Sequence, residues 1–270
     1  MCVRKWIVLL ILCILLIIFI VVACNRRLTT TYYTLDTPAI TEPIKFAILT
    51  DLHSTGYANN MQELMDAVTA TKPDVVLLVG DIFDHHYDNE NSWVLVQSLI
   101  QSYPCYYVTG NHEMVHDALD HVLARLRSLG VYVLQGNSEV LEYHGQRIRI
   151  CGVDDNLAED YVTQVHRVST EICDADYHIL LSHRPDGVEL YNQTGADLII
   201  SGHTHGGQWR IPGLLPNGLY APHQGLFPKY TNGMYHFDDW TLLVSRGLDR
   251  QSVKYPRIFN RPEIVILTLE

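Results

Sequence analysis

The sequence predicts an α/β fold, a sandwich of two β-sheets flanked by helices and preceded by one N-terminal transmembrane helix. Three observations predict it. Short apolar runs alternate with helical patterns, which is typical of crossover connections in a largely parallel sheet. Later strand-like runs follow one another without long helices, which indicates a second sheet packed on the first. A long uncharged apolar run lies at the start of the chain.

The apolar run extends from Trp6 to Cys24, between the basic pairs Arg4-Lys5 and Arg26-Arg27. A helix of about 20 apolar residues spans a bilayer. A cleaved signal peptide is the main alternative, but its apolar core usually has only about 7–15 residues. Val21–Cys24 also resembles a bacterial lipoprotein box, in which Cys24 would be lipidated. We predict that residues 1–27 form a membrane anchor or signal segment at the cell membrane. The N-terminal amine adds positive charge to the first flank, which favours a folded domain outside the cytoplasm.

Charge excludes one class of partner. Beyond residue 27 the chain carries 15 Lys and Arg against 30 Asp and Glu, a net charge of −15. This is the wrong sign for a protein that binds the phosphates of nucleic acid. It also argues against adhesion to anionic lipid by charge, so contact with the membrane is expected to depend on the N-terminal segment.

Residues 28–43, with six Thr and two Pro, are predicted to be a linker or an edge strand, and the domain is predicted to cover residues 44–270. Its first strands are predicted from runs of residues that favour strands: 44–50, 75–79, 105–108, 179–181 and 198–200. The second sheet is assigned the runs at 147–151, 241–244 and 264–269.

Two helices are predicted from the spacing of apolar residues. The first has four of them on one face: Met61, Leu64, Met65 and Val68. The second has five on one face, followed by Gly130 as a helix stop: Leu119, Val122, Leu123, Leu126 and Leu129. Residues 211–233 are the longest stretch without a helix or strand pattern, and a loop of that length in a compact domain is often functional.

Polar residues follow five of the predicted strands. In a parallel α/β sheet the carboxyl ends of the strands lie at one edge, where ligands bind. Each segment alone is explained equally well by a turn or a capping residue. Their presence at five strand ends favours one shared site. The segments are Asp51-Leu52-His53, Gly80-Asp81-Ile82-Phe83-Asp84, Gly110-Asn111-His112-Glu113, Ser182-His183 and Gly202-His203-Thr204-His205.

This order of motifs resembles the calcineurin-like metallophosphoesterase superfamily, whose pattern is D-x-H, G-D-x-x-D, G-N-H-E/D, a lone H and G-H-x-H. The match spans residues 45–207. Arg184-Pro185, Gly225-Leu226-Phe227 and Ser245-Arg246-Gly247 are similar to a bacterial membrane-linked branch of phosphodiesterases. The resemblance implies the metallophosphoesterase-type sandwich of two β-sheets flanked by helices.

The resemblance also implies a ligand set for two divalent metal ions. One ion would be held by Asp51, His53 and His205. The other would be held by Asn111, His183 and His203, with the Asp81 carboxylate bridging the two. Carboxylate and imidazole ligands favour manganese, iron or zinc over calcium, and water activated by two such ions attacks phosphorus in phosphoester hydrolysis.

Two further residues are candidates for catalysis. His112 follows the predicted ligand Asn111 and is the best candidate to protonate the leaving oxygen. Asp84 matches the family carboxylate that orients this histidine, although a turn cap explains Asp84 nearly as well. Glu113 is predicted to be structural.

The predicted substrate is a phosphodiester, with a pyrophosphate or a lipid-linked phosphoester as related choices. Apolar residues within 211–235 are expected to border the metals and to admit acyl chains. A protein phosphatase is disfavoured, because His85-His86 follows Asp84 where those enzymes continue with Arg-Gly. A phosphomonoesterase and a non-catalytic, membrane-tethered metal-binding scaffold are the alternatives. The presence of every expected ligand and of His112 favours catalysis over the scaffold.

Overall fold

The computed structural model describes residues 2–250 and 256–270. Helix α1 (Cys2–Ala23) precedes a domain in which two six-stranded sheets are sandwiched between helices. Met1, of the predicted membrane segment, and residues 251–255, of the predicted domain, lie outside the described residues. The predicted α/β sandwich is confirmed.

The first sheet contains the strands that follow α1 together with the C-terminal strand. Its strands are β1 (Thr29–Leu35), β2 (Ile44–Leu49), β3 (Val75–Val79), β4 (Cys105–Val108), β5 (Tyr132–Val133) and β14 (Glu263–Leu269). The order across the sheet is β1-β14-β2-β3-β4-β5. β2 to β5 are parallel, so their carboxyl ends share one edge.

The second sheet is built from the middle of the chain. Its strands are β6 (Asn137–Tyr143), β7 (Gln146–Gly152), β8 (Tyr177–Leu181), β9 (Leu198–Ser201), β12 (Gly233–His236) and β13 (Thr241–Val244). Their order is β12-β13-β9-β8-β7-β6, and β7, β8, β9 and β13 are parallel. A two-stranded hairpin, β10 (Tyr220–Ala221) and β11 (Gly225–Leu226), lies in the connection between β9 and β12.

Alternation along the strands creates separate apolar layers. Phe46 and Ile48 of β2 pack with Ile179 of β8 in the core between the sheets. Ala47 and Leu49 face the other way, into the core beneath the helices that cover the first sheet. Burial of each large apolar side chain contributes about 1.5–3 kcal/mol. The core between the sheets holds them against each other and therefore fixes the relative positions of their strand ends.

The helices cover the outer faces of both sheets. They are α2 (Gln62–Thr71), α3 (Glu90–Leu99), α4 (Asn111–Met114), α5 (Leu119–Ser128), α6 (Tyr161–Thr170) and α7 (Val188–Tyr191). The two predicted helices are confirmed as α2 and α5. The predicted apolar residue Leu64 is buried in α2, as are Val122 and Leu126 in α5.

The assignment of strands to sheets was partly wrong. The run at 264–269 lies in the first sheet, antiparallel to β2, and not in the second. The runs at 179–181 and 198–200 are the middle strands of the second sheet. Periodicity gives the presence of a strand but not its hydrogen-bonding neighbour. Residues 28–43 contain an edge strand, because β1 pairs in parallel with β14.

One helix in the described residues is long and apolar enough to cross a membrane. The stretch Arg4–Ala23 has a mean hydropathy of 3.6 over its most apolar window and is almost wholly exposed. A membrane anchor and a signal sequence both have these properties. The helix contacts the domain at its C-terminal end, where the Phe259 backbone N–H donates to the Ala23 carbonyl at 2.7 Å.

Candidate metal centre

The predicted site residues lie at strand ends that come from both sheets. Asp51 follows β2, Asp81 follows β3 and Asn111 begins α4 directly after β4, all in the first sheet. His183 follows β8 and His203 follows β9 in the second sheet. Because the cores hold the sheets face to face, these five strand ends converge on one edge of the sandwich.

The first group consists of Asp51, His53 and His205, whose nearest ligand atoms lie within 4.8 Å of one another. The Nε2 atom of His205 is 3.7 Å from Asp51 Oδ1. The rings of His53 and His205 stack with centroids 5.3 Å apart. Two imidazoles and one carboxylate therefore surround one point.

The second group consists of Asp81, His183 and His203, which meet the same 4.8 Å limit. His183 Nε2 is 3.2 Å from Asp81 Oδ2. The same Asp81 oxygen is 3.7 Å from Nε2 of His53 in the first group. One carboxylate oxygen thus faces both groups, which are directly adjacent.

Three of the predicted ligand atoms are buried without a hydrogen-bond partner: His53 Nε2, His183 Nε2 and Asn111 Oδ1. Each histidine uses its other nitrogen. His183 Nδ1 donates to the Val79 carbonyl at 2.9 Å, and His53 Nδ1 lies 2.9 Å from Asp84 Oδ2. Donation from Nδ1 leaves a lone pair on Nε2, which is the form of imidazole that binds a metal. Buried polar atoms are rarely left unpaired, so this set fits a metal ion.

Asp84 contacts two histidines at once. Its Oδ2 atom is 2.7 Å from His112 Nδ1 as well as 2.9 Å from His53 Nδ1. Asp84 is almost fully buried, whereas the His112 side chain is 28% exposed. His112 therefore lies at the open side of the centre, with its other ring nitrogen free of the Asp84 contact. The predicted Asp84–His112 pair is present as a contact.

The charges of the centre divide the histidines into two classes. Burial alone lowers the pKa of His183, but the negative charge of Asp81 raises it to about 10. Burial also opposes charging of His53, whose pKa is raised to about 9 by Asp84 and then Asp81. Burial dominates at His205, where the pKa falls to about 4, and at His203, where it falls well below the ordinary value. The buried carboxylates therefore favour positive charge on His183 and His53, whereas burial disfavours it on His203 and His205.

Five predicted ligands have left-handed backbone, with φ between 46° and 70°: Asp51, His53, Asp81, His203 and His205. Such conformations cost of order 1 kcal/mol or more for non-glycine residues and persist only where the surroundings enforce them. They are concentrated at functional sites. Here they turn each side chain toward the common edge immediately after its strand.

Glu113 enforces part of this geometry. Its buried carboxylate accepts backbone N–H groups of Asp81 and Gly110 at 2.9 Å, together with those of Ile82 at 2.8 Å and Phe83 at 2.9 Å. Burial and the nearby Asp81 charge raise the pKa of Glu113 to about 7. Glu113 ties the loop after β3 to the loop after β4, in agreement with a structural role.

Close backbone approach requires glycine beside the ligands. A Cβ atom on Gly247 would lie 2.6 Å from the Asp51 Cβ, and Gly247 has φ +73°. The motif that contains Gly247 therefore packs directly on the first group. At Gly110 only space is limiting, because a Cβ atom there would lie 2.3 Å from the Asp81 Oδ1 atom.

Sequence reasoning missed two neighbours of the centre. His223, in the hairpin between β10 and β11, places Nδ1 at 3.0 Å from His203 Nε2. Arg257 is buried, and its Nη2 atom is 3.4 Å from His205 Nδ1. The only available signal for His223 was its place as the sole histidine of the Gly/Pro-rich loop 211–233.

The two-sheet α/β sandwich gathers carboxylates and imidazoles at strand ends, which is the arrangement of a protein that can bind metal ions. Residues 44–207 match the calcineurin-like phosphoesterase family, which is more than half of the chain. The chain therefore belongs to that family, which uses divalent metals, and the predicted family resemblance is confirmed.

The chain is also similar to individual phosphoesterases. The metallophosphoesterase Cj0846 of Campylobacter jejuni is 30% identical over 244 residues, or 87% of this chain, and the chain spans 62% of that relative's length. Phosphodiesterase YaeI of Escherichia coli is 28% identical over 235 residues, which cover 84% of this chain and 82% of YaeI. The NAD nucleotidase NadN of Haemophilus influenzae has 17% sequence identity and a TM-score of 0.50, covering 77% of this chain and 51% of NadN. This last likeness concerns the fold alone.

Proposed function

We propose that this protein is a membrane-tethered phosphodiesterase whose centre holds two divalent metal ions. The observation that carries the proposal is the position of Asp81, whose Oδ2 faces His53 at 3.7 Å and His183 at 3.2 Å. A single carboxylate between two imidazole groups is the arrangement that bridges a metal pair. Two ions held there would acidify water and stabilise charge on the phosphoryl oxygens.

The ligand assignment follows the two groups. Asp51, His53 and His205 would hold one ion. His183, His203 and the amide oxygen of Asn111 would hold the other, with Asp81 shared between them. Asn111 would add a ligand without adding negative charge. A loaded centre would therefore keep a positive sign toward an anionic phosphoester, although the domain around it is acidic. Manganese, iron and zinc suit this set of nitrogen and oxygen ligands.

His112 and Asp84 complete the site. The Asp84 carboxylate fixes the imidazole of His112 through Nδ1 and leaves the opposite ring nitrogen toward the open side. From there His112 protonates the leaving oxygen. Asp84 also orients His53 through Nδ1, so it positions one metal ligand and one proton donor together.

The diester specificity is supported by the Escherichia coli relative YaeI, which is a phosphodiesterase. The membrane tether is α1, held at the cell membrane as a single-pass anchor with the domain on its extracytoplasmic side. If α1 is instead removed as a signal segment, the exposed Cys24 that follows it is the residue that a lipoprotein pathway would modify. The domain boundaries at residues 28 and 44 remain predictions.

Hydrolysis of bis-p-nitrophenyl phosphate and of p-nitrophenyl phosphate by the full chain in detergent tests the proposal. With manganese loaded, we expect kcat/KM for the diester to exceed that for the monoester by at least about tenfold, or about 1.4 kcal/mol of transition-state stabilisation. The control is the same protein after treatment with a chelator, which is expected to turn over neither ester.

A preference for the monoester would instead identify a phosphomonoesterase. Turnover of neither ester by protein that contains two bound metal ions would favour the non-catalytic scaffold.

A further inference from the structure

An exposed apolar surface lies in the connection between β9 and β12. Its side chains are between 44% and 72% exposed: Trp209, Ile211, Leu214, Leu226 and Phe227. Outside α1, the described residues expose seven other large apolar or aromatic side chains, and these are spread over residues 32–172. A concentration of this kind marks an interaction surface more often than scattered exposed residues do.

Backbone hydrogen bonds make the surface continuous. The N–H of Leu219 donates to the Trp209 carbonyl at 2.8 Å, and the N–H of Phe227 donates to the Leu219 carbonyl at 2.9 Å. Leu226 pairs with Tyr220 across the hairpin. The segments that carry Trp209, Leu226 and Phe227 are therefore side by side.

The apolar surface lies beside the end of α1. Trp209 forms a parallel bridge with Ile258, and the next residue, Phe259, donates its N–H to the Ala23 carbonyl at 2.7 Å. The Phe259 ring also contacts Phe19 of α1, with centroids 5.4 Å apart. Two short backbone connections thus join the surface to the helix that is proposed to enter the membrane.

Positive charge is concentrated in the same part of the chain. Residues 208–261 contain seven Lys and Arg against three Asp and Glu, whereas residues 28–207 contain eight against 25. At the end of α1, Arg261 donates to the Arg27 carbonyl at 2.9 Å and Arg26 donates to the Arg250 carbonyl at 2.9 Å. Within this stretch Arg246 and Arg250 are paired with glutamates and Arg257 is buried. The net charge of −15 argued against charge-driven adhesion of the domain, but the exposed Arg26 and Arg27 at the helix exit suit anionic headgroups.

The same hairpin reaches the candidate metal centre. His223, three residues before Leu226, lies 3.0 Å from His203 through its ring nitrogen, and the two rings stack with centroids 5.1 Å apart. A lipid surface in contact with Leu226 and Phe227 would therefore face the centre across one hairpin.

We propose that the apolar surface docks into the headgroup region of the bilayer that α1 enters, and that the substrate is a phosphodiester displayed at that lipid surface. Tryptophan is enriched at membrane interfaces, and amphipathic segments insert about 5–10 Å into the boundary between headgroups and acyl chains. The substrate part rests on the proposed phosphodiesterase function, whereas the docking part does not.

Quenching of tryptophan fluorescence by brominated lipids tests the docking. The full chain is reconstituted into bilayers of phosphatidylcholine and phosphatidylglycerol with bromine near the headgroup end of the acyl chains. A Trp6→Phe background removes the indole of α1, and a further Trp209→Phe change isolates the signal of Trp209 by difference. We expect bromine to quench the Trp209 signal by at least about half, because its indole lies at the shallow depth that interfacial segments reach.

The matched control is Ile172→Trp in the Trp6→Phe, Trp209→Phe background. Ile172 is fully exposed and follows α6, near the opposite edge of the second sheet, so its indole is expected to stay unquenched. If Trp6 of the unaltered chain is quenched while Trp209 is not, α1 is inserted but the docking proposal is wrong. Equal quenching of Trp209 and of the Ile172→Trp indole also overturns it.

The substrate part is tested by the ratio of turnover on a phosphodiester lipid in vesicles to turnover on a soluble diester. The double change Leu226→Ser, Phe227→Ser is expected to lower the ratio of lipid turnover to soluble-diester turnover by about tenfold, because the two side chains no longer contact the lipid. The double change Val162→Ser, Ile172→Ser removes two exposed apolar side chains elsewhere, at 66% and 101% exposure against 66% and 68% for Leu226 and Phe227, and should leave the ratio within about twofold. An unchanged ratio in the first variant overturns the substrate class. Absence of turnover on both diesters in the unaltered chain contradicts the proposed function and leaves the quenching result to decide the docking.

Discussion

Replacing Asp81 by asparagine is expected to lower kcat/KM for the diester on the order of a thousandfold, or about 4 kcal/mol of transition-state stabilisation. Asp81 Oδ2 faces His53 and His183 at the junction of the two groups. An amide of the same shape removes the negative charge that would attract both ions, so the content of bound metal is expected to fall from two ions toward one or none. Elemental analysis of the purified variant and steady-state kinetics measure the two effects.

Asp88→Asn is the matched control, because Asp88 is an exposed carboxylate in the connection between β3 and α3. An asparagine at this position still accepts the Glu90 N–H that Asp88 now binds at 3.0 Å. The control should retain both metal content and turnover. Full activity in Asp81→Asn with two ions still bound would remove Asp81 from the bridging role.

Replacing His112 by alanine is expected to lower diester turnover by about 10²–10⁴-fold, the range contributed by general acid catalysis. The metal content is expected to stay at two, because the proposed ligand sets do not include His112. The loss should shrink when the leaving group is a strongly acidic phenol, since such an oxygen departs without a proton. A series of aryl diesters of decreasing leaving-group pKa measures this dependence.

His121→Ala is the control for His112→Ala, because His121 is an exposed histidine on α5 and lies outside the groups described above. It should show neither the loss nor the leaving-group dependence. An equal loss for every leaving group, or a fall in metal content in His112→Ala, would show that His112 supports the centre structurally. Retained turnover would take His112 out of the reaction.

The parts of the fold that depend on local patterns could be predicted from the sequence. The spacing of Leu64 and Val68 gave α2, and the spacing of Val122 and Leu126 gave α5, because one buried face recurs every three to four residues. The strand ends that carry the candidate ligands were also predictable, since ligand sites in parallel sheets lie at the carboxyl ends of strands.

The pairing of strands could not be predicted in the same way. The run at 264–269 has the composition of an interior strand, and either sheet could accommodate it. Its position beside β2 is set by antiparallel hydrogen bonds such as those that pair Ile266 with Ala47. The runs at 179–181 and 198–200 lie in the second sheet, so the five strand ends come from two facing sheets and not from one edge of a single sheet.

Contacts made by irregular segments were also beyond sequence reasoning. The proximity of His223 to His203 depends on the path of the connection after β9, which has no periodic pattern. The concentration of positive charge near α1 was hidden by the negative total. The sequence contains the count of basic residues, but only the structure shows that Arg261 lies beside Arg27 at the end of α1.

Two metal ions are proposed to bind on either side of Asp81. Anomalous diffraction from crystals of the full chain loaded with manganese, recorded at the manganese absorption edge, tests it most directly. The proposal predicts two peaks about 3.5–4 Å apart, one among Asp51, His53 and His205 and one among Asn111, His183 and His203. A single peak, or peaks away from the Asp81 carboxylate, would contradict it.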